Sequence, residues 1–312
     1  MLLGGVGLVL VLVVVGTVVW WNGGVGTLVG RERCVARVGG TTVTLSPTQA
    51  EHAATIAAVA ARRGLPARAV TIAIATAFQE SDLNNLPHGD RDSAGLFQQR
   101  PSQGWGTFAQ VTDPVHASQR FFDALVAVPG WQSLAITRAA QAVQRSAFPD
   151  AYQQHADAAR TLALVLTGKA PHALSCTVRA SDEVRQRPGP DGLTPRAAAV
   201  RAELGDALDP AAFHVPTAAA ERRAGLPAGT SFDVVTAARD DHAAQRQAGW
   251  TAAAWLVANA SRLHVSVVAY DGHVWSAQRS PEGWRTDRTV GTGRSPGRVH
   301  VEVVWGEAAT SA

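Results

Sequence analysis

The sequence predicts an α+β protein in three parts: an apolar N-terminal helix, a mainly α-helical domain over residues 46–169, and a small α+β domain over residues 194–312. Three observations predict it. From Met1 to Trp21 the chain is apolar, and no charged residue stands before Arg31. From Ser46 onward apolar residues recur at helical spacing, and beyond Thr194 helical patterns alternate with short β-like runs. A length of 312 residues suits two ordinary domains, and 46% hydrophobic with 17% charged residues describes a globular chain. The net charge of +3 and pI near 9.4 suit work beside an anionic polymer. No Arg cluster is dense enough to point to a nucleic-acid partner.

The run over residues 1–21 is long enough to cross a bilayer, which takes about 20 apolar residues. Trp20, Trp21 and Asn22 follow where an interfacial belt would lie. A cleaved signal peptide is the other reading; the missing A-x-A site and the length of the run favour an uncleaved anchor. Arg31, Arg33 and Arg37 lie after the run, which by charge bias alone would put the bulk of the chain inside. The two cysteines argue the opposite. Cys34 and Cys176 bracket the helical domain as a disulfide joining its ends would, and such bonds persist in oxidising compartments; two unrelated buried thiols are the alternative. The expected location is the cell membrane, single-pass, with the bulk of the chain extracytoplasmic.

Residues 22–45 are rich in Gly, Val and Thr without a period and read as a linker. A helix then opens at Ser46, with Pro47 in its first turn and Gln49 completing a capping box, and ends at Gly64. Pro66 opens a second helix in which Val70, Ile74, Ala77 and Phe78 form a stripe, with Glu80 near its end. Residues 84–106 are loop-like, with Asn, Pro and Gly throughout. Helical patterns return over 114–126, 137–145 and 150–166, and residues 170–193 read as an exposed, Pro-rich linker. In the last part, 194–204 and 248–263 look helical, and 231–236, 265–269 and 299–304 look like strands.

Cleaving a glycosidic bond requires a carboxylic acid that stays protonated until it donates to the leaving oxygen. Glu80 suits that role, because it follows a buried stripe and sits near a helix C-terminus, and both effects disfavour its charged form. A solitary Glu at a helix end is usually a solvated surface residue, so its neighbours decide the matter. Gln79-Glu80-Ser81, followed by Gly89-Asp90-Arg91-Asp92-Ser93-Ala94-Gly95-Leu96-Phe97-Gln98-Gln99, resembles the catalytic region of goose-type lysozymes and soluble lytic transglycosylases. The run from Ile56 to Gly168, with GLFQQRPSQGWG at 95–106 and AQAVQRSAFPDAY at 140–152, is similar to transglycosylase-like domains of actinobacterial cell-surface proteins.

The resemblance implies a lysozyme-like domain acting on peptidoglycan, with Glu80 as catalytic acid and Gly95 and Gln98 in the segment lining the cleft. It also implies a second acidic residue that positions water: Asp90, at a spacing shorter than the family's, with Asp92 competing and an Asx-turn the bland reading of either. Trp105 is read as stacking on a sugar or packing the loop down, and Ser93, Gln99 and Tyr152 as partners for N-acetyl groups. Without an assured nucleophile, both water attack and attack by the substrate's own 6-hydroxyl stay open.

The last part more faintly resembles zinc-dependent D-alanyl-D-alanine carboxypeptidase-like domains, through Gly229-Thr230-Ser231-Phe232-Asp233, Val274-Trp275-Ser276, Glu282-Gly283-Trp284-Arg285 and Val299-His300-Val301-Glu302. The family pattern, His-x-x-Gly-x-Ala-x-Asp and later Asp-His-x-His, is broken. Leu226 stands at the first His, and Gly297 and Arg298 replace the later Asp-His. Asp233 and His300 alone remain, and two ligands do not hold a catalytic zinc. His242, His264 and His273 match no zinc spacing. The domain is expected to be degenerate, with no metal, no other cofactor and no peptidase activity. The whole chain reads as a membrane-anchored peptidoglycan glycosidase, the alternative being a non-catalytic wall-binding scaffold.

Overall fold

The computed structural model describes residues 31–146, 150–179, 186–215, 229–237, 241–287 and 297–303. The chain divides into two units, Met1–Glu32 and Arg33–Ala312. The anchor expected over 1–21 lies outside the described residues, and among those described no helix is long and apolar enough to cross a membrane. Leu226 also lies outside them.

The second unit is a mixture of helices and antiparallel sheets. It opens with a hairpin, β1 (Arg33–Val38) and β2 (Thr41–Leu45), in the stretch expected to be a linker. The turn is Gly39-Gly40, with φ of 54° and 85°, and a two-residue turn of this hand needs positive φ at both positions. Cys34, Ala36, Val43 and Leu45 alternate inward and close the pattern. The far edge of β1 pairs with β3 (Leu174–Thr177), giving the order β2-β1-β3. Cys34 stands directly opposite Cys176, and the two form the disulfide.

Helix α1 (Pro47–Arg62) starts as its sequence dictates: Ser46 Oγ accepts from the Gln49 amide at 3.2 Å, and Gln49 Oε1 accepts from the Ser46 amide at 2.8 Å. Helix α2 (Ala67–Ser81) differs from the expected amphipathic stripe. Every residue from Ala69 to Ala77 is buried, so the helix is the axis of the domain. Around it pack α1, α4 (Pro114–Val126), α5 (Ile136–Gln144) and α6 (Ala156–Leu166), while a short α3 (Phe108–Val111) follows the Gly-rich loop. A 3-10 turn over 151–155 precedes α6.

The C-terminal part adds α7 (Pro195–Ala207), α8 (His242–Ala258), a short α9 (Ala260–Leu263) and a six-stranded antiparallel sheet. Its strands are β4 (Phe213–His214), β5 (Ser231–Thr236), β6 (Val265–Tyr270), β7 (His273–Ser276), β8 (Arg285–Thr286) and β9 (Arg298–Val303), in the order β4-β5-β9-β6-β7-β8. Helix α8 lies between this sheet and helices α1 and α6, and it is buried from Gly249 to its end except for Thr251.

Within the stretch 170–193, expected as an exposed linker, Leu174–Thr177 instead form β3, which pairs with β1 and meets two tryptophans of the C-terminal part. Trp284 Nε1 donates to the Leu174 carbonyl at 2.7 Å and Trp275 Nε1 to the Cys176 carbonyl at 3.2 Å. At Gly168 a Cβ would fall 2.0 Å from the Gln247 carbonyl oxygen, so the backbones meet too closely for any side chain there. One continuous apolar core therefore runs through both parts of the unit.

Candidate active site

Glu80 lies in the last turn of α2, half-buried. Tyr152 Oη donates to its Oε1 at 2.9 Å, and the Gln144 side chain donates a second hydrogen bond. Burial raises the Glu80 pKa above that of an ordinary carboxyl, and the two donors partly oppose the shift. The acid form therefore persists to higher pH than in a solvated glutamate.

Beyond Glu80 the backbone turns tightly. Asp82 and Leu83 both take left-handed φ, 50° and 57°. The reversal is clamped from α1: Gln49 Nε2 donates to the Asp82 carbonyl at 2.8 Å, and His52 Nδ1 lies 2.7 Å from the Leu83 carbonyl. Ser81 Oγ donates to the Leu96 carbonyl at 2.7 Å, which ties the helix end to the Gly-Leu-Phe-Gln segment. At Gly95, φ is 80° and a Cβ would meet the Val111 carbonyl oxygen at 2.0 Å, so glycine alone fits. Leu96 and Phe97 point into the core, where Phe97 stacks on Phe121 with centroids 4.6 Å apart.

The structure brings some expected site residues to Glu80 and turns others away. Tyr152, expected to meet an N-acetyl group, has no exposed surface; its hydroxyl holds Glu80 instead. Gln99 is likewise buried and donates to the Ala117 carbonyl at 3.0 Å. Ser93 is buried and donates to Gln98 Oε1 at 3.0 Å, while Gln98 Nε2 turns back to the Gly95 carbonyl at 3.1 Å. These three side chains therefore support the loop, and Gln98 alone of them keeps partial exposure.

Neither aspartate is hydrogen-bonded or ion-paired to Glu80 among the described residues. The Asp90 side chain is 92% exposed and its ion pair is a loose 3.9 Å contact with neighbouring Arg91. Asp92 is a clasp: the Ser102 amide at 2.7 Å, Arg100 Nε at 2.9 Å and the Ser102 hydroxyl at 3.0 Å all donate to it. The backbone bond from Ser102 and then the Arg100 guanidinium hold its carboxyl well below the usual range, so it stays ionised.

Trp105 is half-buried against the core and lines an open groove of about 940 Å³ with Gln144 and Arg145. Gln144 thus joins the groove to Glu80. It also donates to the Phe97 carbonyl at 2.8 Å. Sequence reasoning missed its part, although it stands in the AQAVQRSAFPDAY segment, one helix end away from Tyr152.

In the C-terminal sheet, Asp233 on β5 and His300 on β9 are register partners. His300 Nδ1 lies 2.8 Å from Asp233 Oδ1 and its Nε2 lies 3.1 Å from Glu302 Oε1, all three residues being buried. Each ring nitrogen of His300 thus faces a carboxyl oxygen, and Arg298 Nη1 sits 3.6 Å from Asp233 Oδ2. Among the described residues no group of three or more His, Cys, Asp or Glu is arranged to hold a metal ion. The arrangement is a buried hydrogen-bonded cluster. His300→Ala removes the ring that both carboxyl groups contact, leaves them buried without it, and should lower unfolding stability by about 3 kcal/mol, read by urea denaturation.

Residues 189–295 match the family described as the VldE C-terminal domain, and no curated protein matches the chain. The match takes in α7, α8 and the strands from β4 to β8, and does not reach Glu80.

Proposed function

We propose that this chain is a membrane-anchored peptidoglycan glycosidase, held outside the membrane, that cuts the glycan strand with Glu80 as general acid. The observation that carries the reading is Glu80 itself: a half-buried carboxyl whose pKa burial raises, held by two donors, one of which, Gln144, also lines an open groove. The proton on Glu80 passes to the glycosidic oxygen as the C1–O bond breaks. Nothing in this step needs a metal or other cofactor.

The fate of C1 follows from the aspartates. With Asp90 in solvent and Asp92 locked to Arg100 and Ser102, neither is poised to position an attacking water. Attack by the substrate's own 6-hydroxyl asks less of the protein. The ionised Glu80 takes back that hydroxyl's proton, O6 bonds to C1, and a 1,6-anhydro sugar forms. We therefore favour a lytic transglycosylase over a lysozyme that hydrolyses. Mass spectrometry of soluble products from purified walls tests both points: anhydro ends support the reading, reducing ends assign hydrolysis, and no release sinks the glycosidase.

Tyr152→Phe tests the holding arrangement. Loss of a donor to the carboxylate favours its protonated form, so the alkaline limb of the pH–rate profile should move to higher pH. The plateau rate should fall roughly tenfold as Glu80 loses its fixed position. Glu80 is also a stability probe: its folded pKa is raised, so the folded state loses stability as pH rises through that pKa.

A non-catalytic, wall-binding scaffold is the second reading, supported by the absence of a carboxylate partner for Glu80 among the described residues and by the broken ligand pattern in the C-terminal sheet. In either case the C-terminal part, sharing one core with the helical part, serves as its rigid support.

A further inference from the structure

The groove that Gln144 joins to Glu80 carries one charge that the proposed step does not use. Arg145 lines it, exposed, one residue beyond the Gln144 that touches the acid. The other charged groups there are already matched. Asp123 pairs with Arg63 at 2.6 Å and with Arg120 at 3.5 Å, whereas the guanidinium of Arg145 makes no ion pair or hydrogen bond among the described residues. Among the described residues the groove thus has one uncommitted cation, in a wall that also holds Trp105.

The backbone adds a second observation. Arg145 caps α5 in the left-handed region with φ of 52°, a position that favours glycine or asparagine. An arginine there works against local stability, and among the described residues no hydrogen bond or ion pair of its side chain compensates.

We propose that Arg145 is a specificity-determining residue that binds a carboxylate carried by the glycan. A planar guanidinium grips a carboxylate with two parallel bonds and has nothing comparable to hold on a neutral sugar. The inference rests on the peptidoglycan reading for the identity of the polymer. On such a strand two sources share this chemistry: the peptide stem, and the lactyl group of muramic acid once the stem is removed.

The test measures binding to the full-length Glu80→Gln protein, which keeps the groove and does not cut. The ligands are soluble peptide-bearing strands, the same strands after amidase treatment, and chito-oligosaccharides of equal length. Adding Arg145→Gly should weaken binding of peptide-bearing strands about fivefold, the scale of one exposed ion pair, and leave the neutral sugar unchanged. Arg145→Lys should restore most of the loss. Because glycine suits the left-handed cap, Arg145→Gly should leave Tm unchanged or higher, a result that a structural role for Arg145 would not give. A loss on amidase-treated strands as well assigns the carboxylate to the lactyl group. No loss, or equal loss on all three ligands, overturns the proposal. Arg145-dependent binding by a wild-type protein that cuts nothing would keep this inference and defeat the glycosidase; no binding to any ligand would defeat both.

Discussion

Glu80→Gln should reduce release of soluble muropeptides from purified walls by at least about 100-fold, the lower bound for losing a general acid. Glutamine keeps the shape of the side chain and its Oε1 still accepts from Tyr152, so the network around it survives. What disappears is the transferable proton. The loss should be one of kcat at every pH, with an unchanged Tm, because the site is at the half-buried end of α2 and leaves the buried stretch from Ala69 to Ala77 untouched. Wild-type rates should fall as pH rises through the elevated pKa of Glu80, since burial disfavours the ionised form. A Glu80→Gln variant that retains more than about a tenth of the activity would remove Glu80 from the chemistry and with it the central claim.

The largest effect on stability should come from the Cys34–Cys176 bond. It spans a sequence separation of 142 residues, and in the chain-entropy account a loop of that size stabilises the folded state by about 5 kcal/mol. Both sulfurs are buried, so Cys34→Ala with Cys176→Ala is the cleaner variant, avoiding new polar atoms in the core. The urea midpoint should drop accordingly, and reductant should shift the wild type and leave the variant unmoved. A difference under about 1 kcal/mol would mean that β1 and β3 hold one another without the cross-link.

Local signals were the legible ones. Ser46-Pro47-Gln49 marks the start of α1 because capping bonds reach only three residues, and the structure makes both of them. The strand at Ser231–Thr236 was readable as a compact β-branched run. Two turn residues control a large outcome: Gly39-Gly40 makes a hairpin of residues that look aperiodic on composition alone. Helix α8 begins at His242, six residues before its first expected position, because the Asp241 carboxylate caps it while His242 to Gln247 carry no apolar period.

The candidate site was legible in its acid and not in its surroundings. Glu80 stood out through the Gly-Leu-Phe-Gln segment beyond it. Its partner Tyr152 is 72 residues away, and no spacing rule distinguishes a tyrosine that touches substrate from one that holds the acid. Burial decided that case, as it did for Ser93 and Gln99. Asp90 and Asp92 were indistinguishable until Arg100 and Ser102 were seen to occupy one of them. The register of β5 against β9 likewise brings Asp233 to His300, and Glu302 joins them from two residues along β9.

The pairing of Cys34 with Cys176 also settles how tension would travel through the molecule. A pull between Arg33 and the C-terminal sheet passes from β1 to β3 through one covalent bond and bypasses every residue in between. Along the covalent chain, the helical domain is a loop closed by that bond. A single-molecule pull on the two ends should therefore lengthen the protein by the intervening segment only after reduction.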